Sequence, residues 1–160
     1  DIFIGTRKGM AIRFKETDVR PMGRTAYGVR GVSLRNGDEV VSMTAVRPGG
    51  TLLTVTAKGY GKQTALEEYR VQSRGGVGII NIHTSKRNGE VAGIACVEHQ
   101  DELMLVTQHG KILRMETRDI RPIGRVTQGV RLIEIDDKDK VVSIARLFEK
   151  NADEASEPKA

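Results

Sequence analysis

The sequence predicts an all-β, propeller-like array of three four-stranded blades, and three observations carry that prediction: a phased repeat, strand-type apolar runs, and turn residues between them. The repeat reads acid, apolar residue, Arg, three residues, Arg, three residues, Gly, apolar residue. It appears as Asp18-Val19-Arg20 with Arg24 and Gly28-Val29, as Glu68-Tyr69-Arg70 with Arg74 and Gly78-Ile79, and as Asp119-Ile120-Arg121 with Arg125 and Gly129-Val130. The offsets are 50 and then 51 residues.

In chain order, Thr6-Arg7-Lys8-Gly9 recurs in the same phase as Thr56-Ala57-Lys58-Gly59 and Thr107-Gln108-His109-Gly110. Val40 to Val46 reads as a strand, and its first four residues recur as Val91 to Ile94 and Val141 to Ile144. Leu52 to Thr56 and Leu103 to Thr107 are short, apolar and β-branched, which is the strand signature. Asn36-Gly37 and Asn88-Gly89 offer the positive φ angles that tight hairpins demand, while unit three has Asp136-Asp137-Lys138-Asp139 in that place. Helical signals are scarce. A unit of about 50 residues holds four strands but no core of its own, so blades at about 1–48, 49–99 and 100–148 are expected to form one domain in which neighbours cover each other's apolar faces. Three blades do not close a ring. Further blades or another chain are expected to cover the open edges, and the fragment to self-associate through them.

Composition narrows the class. Aromatic content is 4% with no Trp, so the core rests on Ile, Val, Leu and Met. No apolar run is long enough for a membrane span. The first residue is Asp rather than Met, and the chain reads as an excerpt of a longer protein. Cys96 is the single cysteine, which excludes a disulfide framework, and in its apolar run it reads as a buried small hydrophobe. His83, His99 and His109 lack metal-ligand spacing, so no metal site is expected.

Charge points to a polyanion. Residues 1–131 hold 21 Lys and Arg against 13 Asp and Glu, a surplus of +8, and residues 132–160 hold 5 against 8, a deficit of −3. A basic body suits nucleic acid through counterion release. The tail, 149–160, is acidic and reads as disordered. Arg24, Arg74 and Arg125 sit among Gly, Thr, Ser and Gln, where a guanidinium reaches outward to a phosphate, and they are the first candidates for DNA contact. Arg20, Arg70 and Arg121 follow an acid by two residues and are divided evenly between DNA contact and ion pairing within their own unit. Lys8 and Lys58, with His109 in the third copy, form another cationic row, and Lys62 and Arg114 complete the set. Gly59-Tyr60-Gly61-Lys62-Gln63-Thr64 lacks the spacing of a phosphate-cradling loop, which leaves Lys62 as a contact to a nucleic-acid backbone. The glycines of Gln72-Ser73-Arg74-Gly75-Gly76-Val77-Gly78 let a backbone approach a polyanion and expose N–H groups to it.

From residue 1 to about 148 these features resemble the C-terminal domain of DNA gyrase A, with its topoisomerase IV counterpart as a near relative. The resemblance implies a β-pinwheel, a propeller-like disc of about six four-stranded blades, of which this chain supplies the last three. It implies a basic rim that bends duplex DNA with little base reading, in support of ATP-dependent negative supercoiling by the whole enzyme. The family's hallmark box, QRRGGKG, is matched at five positions by Gln72 to Gly78 and departs at Ser73 and Val77. Met22 to Gly28 and Ile123 to Gly129 keep only the Arg and the final Gly. An intact box is therefore expected upstream, and the acidic tail leans toward gyrase. By the same resemblance no catalytic residue, cofactor or metal belongs to these residues. The cleavage tyrosine, ATP and Mg, the rest of gyrase A and its partner gyrase B lie elsewhere in a bacterial, cytoplasmic, nucleoid-associated holoenzyme. Tyr69 aligns with Val19 and Ile120, which marks it as core. The alternatives are the topoisomerase IV domain, a protein-interaction propeller, and an enzyme with a site in a central channel.

Overall fold

A computed structural model describes residues 1–147; the predicted tail lies outside the described residues. Eleven strands and three single-turn 3-10 helices follow the repeat. Unit one holds β1 (Ile2–Thr6), β2 (Met10–Phe14) and β3 (Val40–Ala45). Unit two holds β4 (Thr51–Thr56), β5 (Tyr60–Ala65), β6 (Ile79–Ile80) and β7 (Val91–Val97). Unit three holds β8 (Glu102–Thr107), β9 (Ile112–Glu116), β10 (Val130–Arg131) and β11 (Val141–Leu147).

The sheets differ from four strands per unit in one respect. Sheet one runs β3-β1-β2-β6, sheet two β10-β5-β4-β7, and sheet three β11-β8-β9. The outermost strand of sheets one and two therefore comes from the following unit: Ile79 pairs with Ala11, and Val130 with Gly61. Each Gly-apolar step of the repeat is the start of such an exchanged strand. Gly78 has φ 79°, and a Cβ there would run into the Ala11 carbonyl oxygen, so glycine is required for the close approach.

The hairpins turn at Thr-x-x-Gly. Gly9, Gly59 and Gly110 each donate N–H to the carbonyl of the preceding Thr at 3.0–3.1 Å, with φ between 78° and 87°. Asn36-Gly37 and Asn88-Gly89 instead turn the loops that lead to β3 and β7, so the predicted hairpin role is corrected. Asn88 is buried there and its Nδ2 donates to the His83 and Gln128 carbonyls.

Burial explains why one unit needs the next. In β4, Leu52 belongs to the cluster with Phe3, Tyr69 and Ile94, while Leu53 joins Leu103, Leu105 and Ile120 on the other side. A strand buried on both faces reads as a continuous apolar run. Tyr69 is core as expected: its ring meets Phe3 edge-on at 5.0 Å, and its hydroxyl donates to Asn81 Oδ1 at 2.6 Å. Strands β3 and β7 lie together, with Ile94 N–H donating to Ser42 Oγ at 2.7 Å and Cys96 N–H to Thr44 Oγ1 at 3.2 Å. Arg146 of β11 reaches the Cys96 carbonyl at 3.4 Å. These three strands form the inner side, so the exchanged strands and the arginine loops before them form the outer rim. Cys96 is buried and unpaired.

Candidate nucleic-acid interface

The second and third arginine loops leave their own sheets after a 3-10 turn and lie over the loop of the preceding unit. Arg74 donates from Nε to the Asp18 carbonyl at 3.1 Å and from Nη1 to the Arg30 carbonyl at 2.6 Å. Beside it, Gly75 N–H donates to the Gly31 carbonyl at 2.8 Å, and Ser33 returns its N–H to the Gly76 carbonyl at 2.9 Å and its hydroxyl to the Gly75 carbonyl at 2.7 Å. One repeat later Arg125 Nη1 donates to the Ile80 carbonyl at 2.6 Å, and His83 N–H to the Thr127 carbonyl at 2.9 Å. Arg125 also packs over the Tyr69 ring at 6.0 Å, and Glu68 Oε2 accepts its backbone N–H at 3.0 Å. The loops thus overlap like roof tiles.

Two expectations change. Arg74 and Arg125 are half-buried fasteners between units rather than free outward groups, because a carbonyl oxygen of the preceding loop lies within reach and takes the guanidinium hydrogens. The Gly75 N–H is likewise spent inside the protein, so the box Gln72 to Gly78 does not present that donor to a polyanion. Gln72 Nε2 is buried without a partner among the described residues. Arg24 is exposed and makes no hydrogen bond or ion pair among the described residues.

The first arginine of each repeat behaves differently. Arg20, Arg70 and Arg121 are exposed and none pairs with Asp18, Glu68, Asp119 or any other described acid. The ion-pair alternative is absent among the described residues. A guanidinium on the rim with its planar fork open to solvent is suited to bidentate phosphate contact.

Lys62 is the clearest correction. It is fully buried, and Nζ donates to the Gly124 carbonyl at 2.8 Å and the Arg125 carbonyl at 2.6 Å. Burial pushes its pKa down to about 8, with Glu68 opposing and Arg125 adding to the shift. It cannot reach a phosphate; it fastens the Arg125 loop from below. Lys8 and Lys58 are exposed, but their Nζ atoms hold turn carbonyls, Asn36 at 2.8 Å and Lys86 at 2.5 Å. His109 is exposed and its N–H donates to Asp139 Oδ1 at 3.1 Å. Arg114 pairs with Glu102 across β8 and β9.

A cationic group that sequence reasoning missed surrounds Tyr60. Arg87 lies 5.3 Å and Arg131 5.6 Å from its ring centre, and Arg131 Nη2 donates to its hydroxyl at 3.2 Å. The hydrogen bonds from Arg131 and Arg87 hold the phenol below its ordinary pKa. Because Arg131 arrives on the exchanged strand of unit three, only the three-dimensional pairing could have revealed this cluster. Among the described residues no group of His, Cys, Asp or Glu is arranged to hold a metal, and no helix is long and apolar enough to cross a membrane.

Strand-exchanging sheets that share cores with their neighbours and carry stacked arginine loops on the rim define a propeller-type repeat module. Within that class, a family model described as DNA gyrase C-terminal domain, beta-propeller, matches residues 1–47, 50–98 and 101–147, and the chain belongs to this family. It is 49% identical over 146 residues to the DNA gyrase A protein of Kosmotoga olearia, a match that covers 90% of this chain and 18% of that protein. Among solved structures it resembles a DNA gyrase A C-terminal domain (TM-score 0.86, 29% identity, 92% of this chain and 50% of that one). It also resembles the C-terminal domain of a DNA topoisomerase IV (TM-score 0.85, 26% identity, 91% and 46%). The chain thus spans under a fifth of the length of its gyrase relative.

Proposed function

We propose that this module binds duplex DNA along its rim through phosphates, without sequence reading, and bends it. The observation that carries the reading is the row of exposed, unpaired arginines, Arg20, Arg70 and Arg121, delivered by tiled loops at the outer ends of successive sheets. Arg24 adds to the row, and Arg87 stands over Tyr60 as a further cation, whereas Arg131 beside it is paired with Glu134. No recognition helix and no exposed aromatic row exist among the described residues, so base readout and single-strand stacking have no element to use. Bending 20–30 base pairs costs about 1–6 kcal/mol, so contacts spread along an arc must act together.

In the whole enzyme the bent segment would lie near the cleavage gate and favour negative supercoiling, with the rest of gyrase A, gyrase B, ATP and Mg supplying the chemistry in the bacterial cytoplasm. Kinship to gyrase A at 49% identity supports the gyrase setting over the topoisomerase IV setting. A test is to bind the chain to relaxed circular DNA, reseal nicks with a ligase, and read the linking number. Wild type is expected to shift it; Arg20→Ala/Arg70→Ala/Arg121→Ala is expected to lose the shift and to flatten the salt dependence of binding by about 2.7 in log–log slope. An unchanged slope in that variant removes the rim reading.

A further inference from the structure

Arg121 is held more closely than Arg70, its counterpart one repeat earlier. The chain crosses the edge of β5 beside Arg121, where Pro122 pairs with Gln63 and Ile123 N–H donates to the Gln63 carbonyl at 2.9 Å. Successive side chains of a strand point to opposite faces, so Lys62 and Thr64 approach that crossing from one face of the sheet and Gln63 from the other. All three are buried, and each sends a donor to the crossing chain. Lys62 Nζ donates to the Gly124 and Arg125 carbonyls at 2.8 and 2.6 Å, and Thr64 Oγ1 to the Ile123 carbonyl at 2.9 Å. Gln63 Nε2 donates to the Thr117 carbonyl and, at 3.1 Å, to that of Ile120; Thr51 Oγ1 turns the amide that way by donating to Oε1 at 2.6 Å. Five carbonyls within four residues of Arg121 are thus secured by side chains of one strand. Pro122 adds a further restraint, because the residue before a proline is confined to extended backbone.

Around Arg70 the same crossing is made with fewer fasteners. Val71 pairs with Arg13, and Gln72 N–H donates to the Arg13 carbonyl at 2.8 Å. Of Ile12, Arg13 and Phe14, the counterparts of Lys62, Gln63 and Thr64, only Arg13 carries a donor, and its Nη1 serves the Leu66 and Tyr69 carbonyls at 2.7 and 3.2 Å. Valine, not proline, follows Arg70. The unit-two loop is fastened further along, at Arg74 and Gly75. Lys62 is the informative difference. Ile12 shows that an aliphatic side chain fills this place, and burying an ammonium with two acceptors for its three N–H groups costs stability that an apolar group would not. A residue that breaks a local rule in this way points to a functional constraint.

We infer that Lys62, Gln63 and Thr64 are positioning residues for Arg121, which makes Arg121 the preorganised phosphate contact of the rim and Arg70 the compliant one; the inference rests on the rim reading proposed above. A guanidinium whose backbone is already fixed gives up less freedom when a phosphate oxygen meets it, so more of the interaction remains as affinity. A duplex on the rim is then held in register at unit three and accommodates to the curve at unit two.

Double-mutant cycles in DNA binding test this, read by fluorescence anisotropy of a labelled duplex across a salt series. Arg121→Ala alone is expected to weaken binding and to lower the log–log salt slope by about 0.9. In a Lys62→Met background its cost in affinity is expected to shrink by about threefold or more, as for groups that act through one network, whereas the effects of Arg70→Ala and Lys62→Met multiply to within about twofold. Thr64→Val repeats the cycle with no change of charge, and Thr64→Ser, which keeps the hydroxyl, is expected to restore the full cost of Arg121→Ala. A general loosening of the fold would move the Arg70 and Arg121 cycles alike. If Arg121→Ala weakens binding but multiplies independently with both Lys62→Met and Thr64→Val, or if Arg70→Ala couples to them equally, the positioning role is overturned and the rim reading stands. If Arg121→Ala binds with an unchanged slope, the rim reading fails and this inference fails with it.

Discussion

Three residues separate Arg70 from Arg74, and Arg121 from Arg125, yet the members of each pair meet different surroundings. Arg70 and Arg121 stand in solvent without a partner among the described residues, while Arg74 and Arg125 are half-buried and bonded to carbonyls of the preceding unit. The difference follows from where the chain crosses between sheets. The first arginine sits just after the 3-10 turn, before the loop reaches its neighbour; the second lies where the loop is seated on that neighbour. One row is thus placed to meet a ligand, and the other holds the first in position.

The sharpest way to break this comparison is to remove the second row alone. Arg74→Ala and Arg125→Ala each delete charge-assisted bonds to carbonyl oxygens, worth about 1.5–3 kcal/mol when buried and toward the lower figure at these half-buried sites. For a chain of this size each is expected to lower the melting temperature by roughly 3–6 °C. Arg20→Ala/Arg70→Ala/Arg121→Ala is expected to leave melting nearly unchanged while altering DNA binding. Differential scanning calorimetry on both sets decides it, and equal melting losses would mean that the two rows do not differ in role.

The repeat made much of this legible and concealed the rest for a definite reason. Phased positions located the sheets, the core role of Tyr69 and burial of Cys96, because periodic apolar residues reflect burial directly. They could not tell which sheet a strand joins. Gly78-Ile79 and Gly129-Val130 look like strands of their own units, but they pair with Ala11 and Gly61 of the unit before. The misreading of Lys62 has the same origin. A lysine in a polar, glycine-flanked stretch reads as exposed until the Arg125 loop, about 60 residues further on, is seen to cover it and to offer two carbonyls. The Arg87, Tyr60 and Arg131 cluster was hidden likewise.

Lys62 sharpens the comparison from below, since it fastens the Arg125 loop where the other units have Ile12 and Leu113. Its folded pKa of about 8 lies under the ordinary 10.5, so the unfolded chain holds the proton more tightly than the folded one. The burial penalty is fully present below pH 8 and is relieved between pH 8 and 10.5. Wild-type stability measured relative to Lys62→Met is therefore expected to rise across that window and to stay flat below it. Urea denaturation of both proteins at intervals from about pH 6.5 to about pH 10.5 reads this directly; a difference that falls with pH would show that the lysine is not buried as a cation.

The smallest effect belongs to Arg114, a rim-side cation whose charge is already opposed. It pairs with Glu102 on the neighbouring strand and is itself largely exposed, a setting in which an ion pair contributes about 0–1 kcal/mol. A phosphate would have to displace Glu102 to use it, so Arg114→Ala is expected to change the salt slope of DNA binding by far less than one of the unpaired arginines does. Glu102→Gln supplies the converse: it removes one negative charge from beside Arg114, and DNA binding is expected to tighten slightly. If Arg114→Ala instead matched Arg70→Ala in slope, exposure alone, and not freedom from an acidic partner, would distinguish the arginines that meet DNA.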